Sequence, residues 1–118
     1  MTTRFARIIA GVSLLLCVGT FSGAARAGTV DSAKIVALTE SSSGNIAWIS
    51  LDLPVASPPA CATVPKVMAF DTTSAGGKNL LALVYSAFLA NKPVTLTGSS
   101  TCTVNGSMEN LVTVTVVP

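Results

Sequence analysis

The segment SAGGKNLLALVYSAFLAN, residues 74–91, has the one pattern in this chain that predicts a full helix. Apolar residues recur through it at intervals of three and four, the spacing of a helix face that packs on a core. Short strand-like runs lie on both sides of it, and a cysteine lies beyond each end. The predicted core face consists of Leu80, Val84, Ala87 and Phe88, widened by Leu81, Leu83 and Leu89.

Both ends of this segment carry signals that start or stop a helix. Thr73 or Ser74 can cap the first turn with a side-chain oxygen. Asn91 tolerates the left-handed backbone of a helix end, and Pro93 cannot continue the helix. The sequence therefore predicts a single helix with defined boundaries.

The flanking runs predict five strands. Three precede the helix, at 33–40, 46–53 and 66–71, and two follow it, at 93–98 and 111–117. This order is that of a small five-stranded OB-type Greek-key barrel, mainly β, with the helix between strands 3 and 4. An open sheet with one helix packed on its face is the alternative.

Alternation in two of the predicted strands indicates which side chains face the core. Ile49, Leu51 and Leu53 share one face of the second strand, whereas Trp48 lies on the other. In the last strand, valines alternate with threonines, which predicts an apolar face backed by a solvated one. The inward valines would be Val112, Val114 and Val116.

Residues 1–27 have the three-part pattern of a secretory signal peptide. Arg4 and Arg7 provide a positive start, residues 8–19 are mostly apolar, and residues 25–27 read Ala-Arg-Ala, a small-x-small cleavage site. The apolar run is too short to span a membrane, which takes about 20 residues. The sequence therefore predicts export, with cleavage directly after this segment.

Two other processing schemes compete with this one. Cys17 could be the lipidated residue of a lipoprotein, although Leu16 before it is not the small residue that such a site needs. Cleavage after Ala24 also stays open. Cleavage after residue 27 leaves residues 28–118 as a single OB-like domain that is secreted or periplasmic.

Removal of the signal peptide changes the charge of the protein. All arginines leave with it, so four lysines and five acidic residues remain, and the formal net charge changes from +2 to −1. A nucleic-acid-binding domain needs a basic stripe, usually with arginine, so we exclude that class. The remaining charged residues are Lys34, Lys66, Lys78, Lys92, Asp31, Glu40, Asp52, Asp71 and Glu109.

Cys61 and Cys102 are the cysteines that remain after export. An even number of cysteines in an exported domain predicts a disulfide, and two free buried thiols are the alternative. A bridge across this separation would stabilise the fold by about 4 kcal/mol in the chain-entropy account. A domain of this size is marginally stable without such help.

Six short motifs of core and turn residues are spread over much of the mature chain. They are PPAC at 58–61, VMAFDT at 67–72, KNLL at 78–81, YSAFLA at 85–90, KPVTL at 92–96 and TCTV at 101–104. Together they resemble small exported bacterial proteins related to the binding (B) subunits of subtilase cytotoxin and pertussis-like toxins. The resemblance implies an OB-fold, a ring-shaped pentamer and binding of cell-surface glycans, often sialylated. None of the sugar-contacting residues of those toxins can be matched to a position here.

Catalysis finds little support in the sequence. There is no histidine, which removes the commonest general base and the commonest metal ligand. The cysteines are expected in a disulfide, and no serine has a base at a recognisable spacing. Asp52 and Asp71 could approach each other as a carboxylate pair, although solvated edge residues are the favoured interpretation. The sequence therefore predicts a protein that is not an enzyme and that uses no cofactor or metal.

Binding is the better interpretation. Trp48 is the only tryptophan and lies off the aliphatic face of its strand, so its indole could stack on a sugar ring or cover a barrel end. Ser43 and Asn45, in the turn before it, add neutral hydrogen-bonding groups. These three residues are the predicted ligand site of a non-catalytic glycan-binding module that forms a homo-oligomer. The alternative function is a structural or inhibitory exported protein that binds another envelope protein.

Overall fold

The computed structural model describes residues 26–118, which form six strands and one helix. The protein is therefore mainly β with one helix, as predicted. Residues 1–25, which carry most of the predicted signal peptide, lie outside the described residues. The elements in chain order are β1 (Thr29–Ala33), β2 (Ile35–Glu40), β3 (Ile46–Leu51), β4 (Val67–Asp71), α1 (Ala75–Leu89), β5 (Val94–Gly98) and β6 (Glu109–Val116).

The strand count was predicted wrongly: the described residues contain six strands rather than five, and α1 lies between the fourth and fifth. The extra strand arises because the predicted strand 33–40 begins earlier and is divided at Lys34. The backbone of Ser32 has a φ of 51°, and the pairing of β1 with β5 shifts register between Val30 and Ala33. This irregularity breaks the alternation of period two by which a strand is recognised in sequence.

The strands form one sheet in the order β1-β5-β6-β4-β3-β2. Neighbouring strands are antiparallel except β4 and β6, which are parallel. The two strands at the ends of this order, β1 and β2, are consecutive in the chain and separated by Lys34 alone. The chain thus passes directly from one end of the order to the other.

β2 and β3 form the predicted hairpin. Its turn is closed by the Ser41 N–H, which donates to the Ile46 carbonyl at 2.8 Å. Gly44 has a φ of 68°, a left-handed backbone that glycine adopts without steric cost. Glycine therefore suits this position of the turn.

The helix packs on the core through a narrower stripe than predicted. Val84 and Ala87 are fully buried, but Phe88 is 36% exposed. Leu83 and Leu89 are also exposed. The prediction failed because apolar residues occur nearly all around this helix, so that spacing alone does not identify the side that the sheet covers. Leu80 and Leu81 are partly buried against the core.

The predicted helix caps are confirmed. Ser74 is the N-cap, and its Oγ accepts the Gly77 N–H at 3.0 Å. At the other end Asn91 has a φ of 51°, and the Lys92 N–H donates to the Ala87 carbonyl at 3.0 Å, which is a Schellman motif. Both ends of α1 are thus capped by residues that are close in the sequence.

The last strand changes its inward face part-way along. Pairing with β5 shifts register between Thr97 and Gly98, so Leu111 and Val114 both turn inward although they are three residues apart. Val112 is consequently exposed, contrary to the prediction. The same shift turns Glu109, two residues before Leu111, toward the interior. In the second predicted strand Leu53 is also exposed, because β3 ends at Leu51.

The predicted disulfide between Cys61 and Cys102 is present. The two Sγ atoms are 2.05 Å apart and the two Cα atoms 6.1 Å apart, across 41 residues of chain. The bridge joins the connection between β3 and β4 to the connection between β5 and β6. Two long loops are thereby held together on one side of the molecule.

Candidate functional site

A cleft of about 440 Å³ lies where the β2–β3 hairpin, the end of β4 and the disulfide-bonded loop meet. We call it the tip cleft. Its lining combines neutral hydrogen-bonding groups, one carboxylate and two aliphatic side chains. The lining residues are Asn45, Ile46, Asp71, Thr73, Thr103 and Val104.

Thr72, which is buried, fastens the hairpin to the end of β4. Its N–H donates to the Asn45 carbonyl at 3.0 Å, and its Oγ1 donates to the Gly44 carbonyl at 2.9 Å. Since both acceptors are backbone atoms, the position of Asn45 does not depend on its own side chain. The Asn45 side chain therefore remains available at the edge of the tip cleft.

Asp71 places a negative charge in the tip cleft. Its Oδ1 accepts hydrogen bonds from Thr73 Oγ1 at 2.7 Å and from the Thr73 N–H at 2.6 Å. The side-chain hydrogen bond and then the backbone hydrogen bond lower the pKa of Asp71 below its ordinary value. The carboxylate is exposed and ionised at neutral pH. Because both bonds engage Oδ1, Oδ2 is left to accept from a ligand.

The opposite wall of the tip cleft is held by the side chain of Asn110. Its Nδ2 donates to Thr103 Oγ1 at 2.7 Å and to Thr101 Oγ1 at 3.2 Å, while its Oδ1 accepts the Val104 N–H at 3.0 Å. The neighbouring Cys102 is anchored by the disulfide. This wall is thus fixed by a covalent bond and a single amide side chain.

The structure brings only one of the three predicted ligand residues to the tip cleft. Asn45 lines it, whereas Ser43 lies exposed at the hairpin tip, with its Oγ 2.9 Å from that of Ser41. Trp48 is half-buried in the middle of β3, paired with Thr39 and Ala69, and does not line the tip cleft.

Sequence reasoning missed Asp71, Thr73 and the Thr103–Val104 wall as site residues. A usable signal was present for the first two: an Asp at a strand end followed two residues later by a Thr is a pattern for a local Asx turn. The wall at 103–104 had no such signal, since only the disulfide and the Asn110 side chain bring it to Asp71.

A carboxylate pair of Asp52 and Asp71 does not form. Asp71 pairs with Ile46 at the start of β3, while Asp52 follows Leu51 at its other end. Asp52 Oδ1 instead accepts the Lys34 N–H at 2.7 Å. Among residues 26–118 there is also no group of three or more His, Cys, Asp or Glu side chains placed to hold a metal ion.

A second hollow, of about 480 Å³, lies between β2 and α1. We call it the helix hollow. Its lining is more apolar than that of the tip cleft and includes the exposed Tyr85. The lining residues are Leu38, Glu40, Lys78, Leu81, Ala82 and Tyr85.

No family model matches the chain, and neither a curated protein nor a solved structure matches it. The likeness to toxin B subunits therefore rests on the sequence motifs. Within residues 26–118, no helix has the length and apolar character needed to cross a membrane.

Proposed function

We propose that the mature domain is a secreted or periplasmic, non-catalytic module that binds a glycan in the tip cleft. The observation that carries this proposal is the ionised carboxylate of Asp71 beside Asn45 and Thr103. Sugar hydroxyls donate well to a carboxylate, since charge-assisted hydrogen bonds are the strong ones. The apolar C–H face of a sugar ring can pack on Ile46 and Val104.

The charge of the tip cleft favours a neutral glycan over a sialylated one. Among the described residues, its lining contains Asp71 and neither lysine nor arginine. A sialic acid would bring a second carboxylate beside Asp71 without a cation to compensate, and like charges repel. A neutral sugar meets no such penalty.

We propose further that β1 and β2 are the two halves of one bent strand, so that the sheet closes into an OB-type barrel. Support comes from the sheet order, in which these consecutive strands stand at opposite ends and only Lys34 separates them. A closed barrel of this type is the architecture implied by the resemblance to toxin B subunits.

A ring of identical subunits would suit a weak single site. An affinity near millimolar corresponds to about −4 kcal/mol, and several linked sites raise the overall avidity without any new contact. The pentameric ring is implied by the motif resemblance alone.

A second candidate function is recognition of another envelope protein through the helix hollow. The observation in its favour is that Leu38, Leu81 and the exposed Tyr85 meet there beside Lys78. Exposed aromatic and aliphatic side chains with a polar rim are typical of protein-binding surfaces.

The test combines a glycan array with the oligomeric state of the mature protein in solution. We expect an oligomer and binding to neutral glycans, reduced at least about tenfold by Asp71→Asn, which removes a charge-assisted acceptor. Asp31→Asn, an exposed carboxylate on β1, is the matched control and should leave binding unchanged. Loss of binding on Trp48→Ala but not on Asp71→Asn would move the site to Trp48. A monomer with a blank array would favour the envelope-protein function.

A further inference from the structure

Glu109 is a buried carboxylate that takes no part in the proposed glycan site. Its side chain lies at the start of β6 and is 1% exposed. Its Oε1 accepts two backbone hydrogen bonds, from the Gly28 N–H at 2.8 Å and from the Ser100 N–H at 2.9 Å. Its Oε2 is buried and accepts no hydrogen bond within the described part of the chain.

The negative charge of a carboxylate held in this way is only partly compensated by its hydrogen bonds. Burying an ionised group is costly unless it is paired with an opposite charge and its lone pairs are all used. The two donors to Glu109 are backbone N–H groups without net charge, and both engage the same oxygen. Within residues 26–118, neither donor carries a positive charge and Oε2 accepts no hydrogen bond.

Gly28 is packed tightly against this carboxylate. It is buried, and its carbonyl accepts the Gly98 N–H at 2.8 Å. A Cβ atom added at Gly28 or at Gly98 would overlap the Glu109 carboxylate. The backbone nitrogen of Gly28 can therefore come close to Glu109 because both positions lack a side chain.

Gly28 is also the residue predicted to become the N-terminus when the signal peptide is removed. Hydrolysis of the Ala27–Gly28 bond by a signal peptidase adds one water molecule: Ala27 leaves with the new carboxylate, and the Gly28 nitrogen becomes an amine. At neutral pH this amine takes up a proton and becomes an α-ammonium with three N–H donors in place of one amide N–H.

We propose that Glu109 is the binding site for the new α-ammonium of Gly28 and that the two form a buried ion pair in the mature protein. The nitrogen already lies 2.8 Å from Oε1, so the pair requires no rearrangement of the backbone. One of the additional N–H groups can donate to Oε2, the oxygen that accepts no hydrogen bond from residues 26–118. Removal of the signal peptide then stabilises the fold as well as releasing the domain.

The inference is tested by comparing two forms of the protein that differ only at the N-terminus. One begins at Gly28, produced by cutting a fusion immediately before that residue, and the other retains Arg26 and Ala27. The retained residues convert the ammonium back into an amide, so we expect the melting temperature of the longer form to be lower by about 5 °C or more. Equal melting temperatures would overturn the proposal.

Glu109→Gln in both forms separates the ion pair from a general effect of the extra residues. The difference between the two N-termini should largely disappear in this variant, because the charge that binds the ammonium is gone. Glu40→Gln, at an exposed glutamate, is the matched control and should preserve the full difference. An unchanged difference in Glu109→Gln would contradict the ion pair.

A measurement on the unmodified mature protein covers the case in which Glu109→Gln does not fold. An acylating reagent should modify the Gly28 amine at least about tenfold more slowly in the native protein than in urea, because the amine is buried and protonated. The exposed Lys92 amine serves as the internal reference. Equal rates at Gly28 in both conditions, or an exported protein that begins at another residue, would refute the proposal.

Discussion

Asp71 is the residue on which the proposed glycan site depends, and its hydrogen bonds with Thr73 lower its pKa. The Thr73 side chain makes the larger contribution to the lowered pKa of Asp71. We expect Thr73→Val to raise this pKa toward its ordinary value, although the remaining backbone hydrogen bond prevents a complete return. A carbon-detected NMR titration of the Asp71 carboxyl measures the change.

The same shift determines how Asp71 affects stability. A carboxyl group whose pKa is lower in the folded state stabilises the fold at neutral pH, and that stabilisation is lost as the pH falls through the folded-state value. Thr73→Val should therefore make stability less dependent on pH in the acidic range. Thr115→Val, at an exposed threonine of β6, is the control and should leave the Asp71 titration unchanged.

Two phenylalanines show how much burial matters at a single residue. Phe70 in β4 is 2% exposed and Phe88 in α1 is 36% exposed. Phe70→Ala should cost about 3–5 kcal/mol, because it removes a fully buried ring and leaves a cavity. Phe88→Ala should cost clearly less, since part of that ring is already in water. Urea unfolding of both variants would contradict the burial pattern if the two costs were equal.

At the scale of a structural element, adjacent glycines in the first turn of α1 should respond oppositely to the same substitution. Gly76 has open space around it, so Gly76→Ala should stabilise the helix by about 0.5–1 kcal/mol through propensity. At Gly77 a Cβ atom would overlap the backbone carbonyl of Asp71. Gly77→Ala should therefore destabilise the protein. Thermal unfolding should show a lower melting temperature for Gly77→Ala and a higher one for Gly76→Ala.

A stabilising effect of Gly77→Ala would mean that the approach of α1 to the end of β4 is looser than the structure indicates. This contact matters for the proposed site because it joins the start of the helix to the strand end that carries Asp71. The Ser74 cap lies between the two in the sequence and closes the first turn of the helix.

At the scale of the whole molecule, the disulfide contributes both to the stability of the fold and to the shape of the proposed site. Replacing both Cys61 and Cys102 by serine should cost about 2–5 kcal/mol, the usual effect of removing a native bridge from a small secreted domain. Glycan binding should weaken as well, since Cys102 precedes the Thr103–Val104 wall of the tip cleft. Urea unfolding and the glycan array test the two effects separately.

A variant without the bridge that kept its full stability would show that the core alone suffices. Retained stability together with weakened binding would show instead that the bridge supports the glycan site and not the stability of the fold. Ser57 is exposed and lies in the same loop as Cys61. Ser57→Ala is therefore the control, because it changes this loop and leaves the bridge intact.

The sequence by itself determined the features that depend on neighbouring residues. The helix and both of its caps, the β2–β3 hairpin and the mainly β class were predicted correctly, because capping, turn formation and periodicity act over a few residues. The pairing of Cys61 with Cys102 was also predictable, since removal of the predicted signal peptide leaves no other cysteine.

Only the tertiary structure decided the features that depend on register and on distant contacts. Irregular pairing of β1 created an additional strand, and irregular pairing of β6 exposed Val112 and turned Glu109 inward. Such a change of phase along a strand cannot be read from a period-two pattern. Of the predicted ligand residues, only Asn45 lines the tip cleft. Strand pairing decides which residues lie beside one another there. Glu109 meets Gly28 across 81 residues of chain, and no local pattern could have revealed that contact, because it exists only once the sheet has formed.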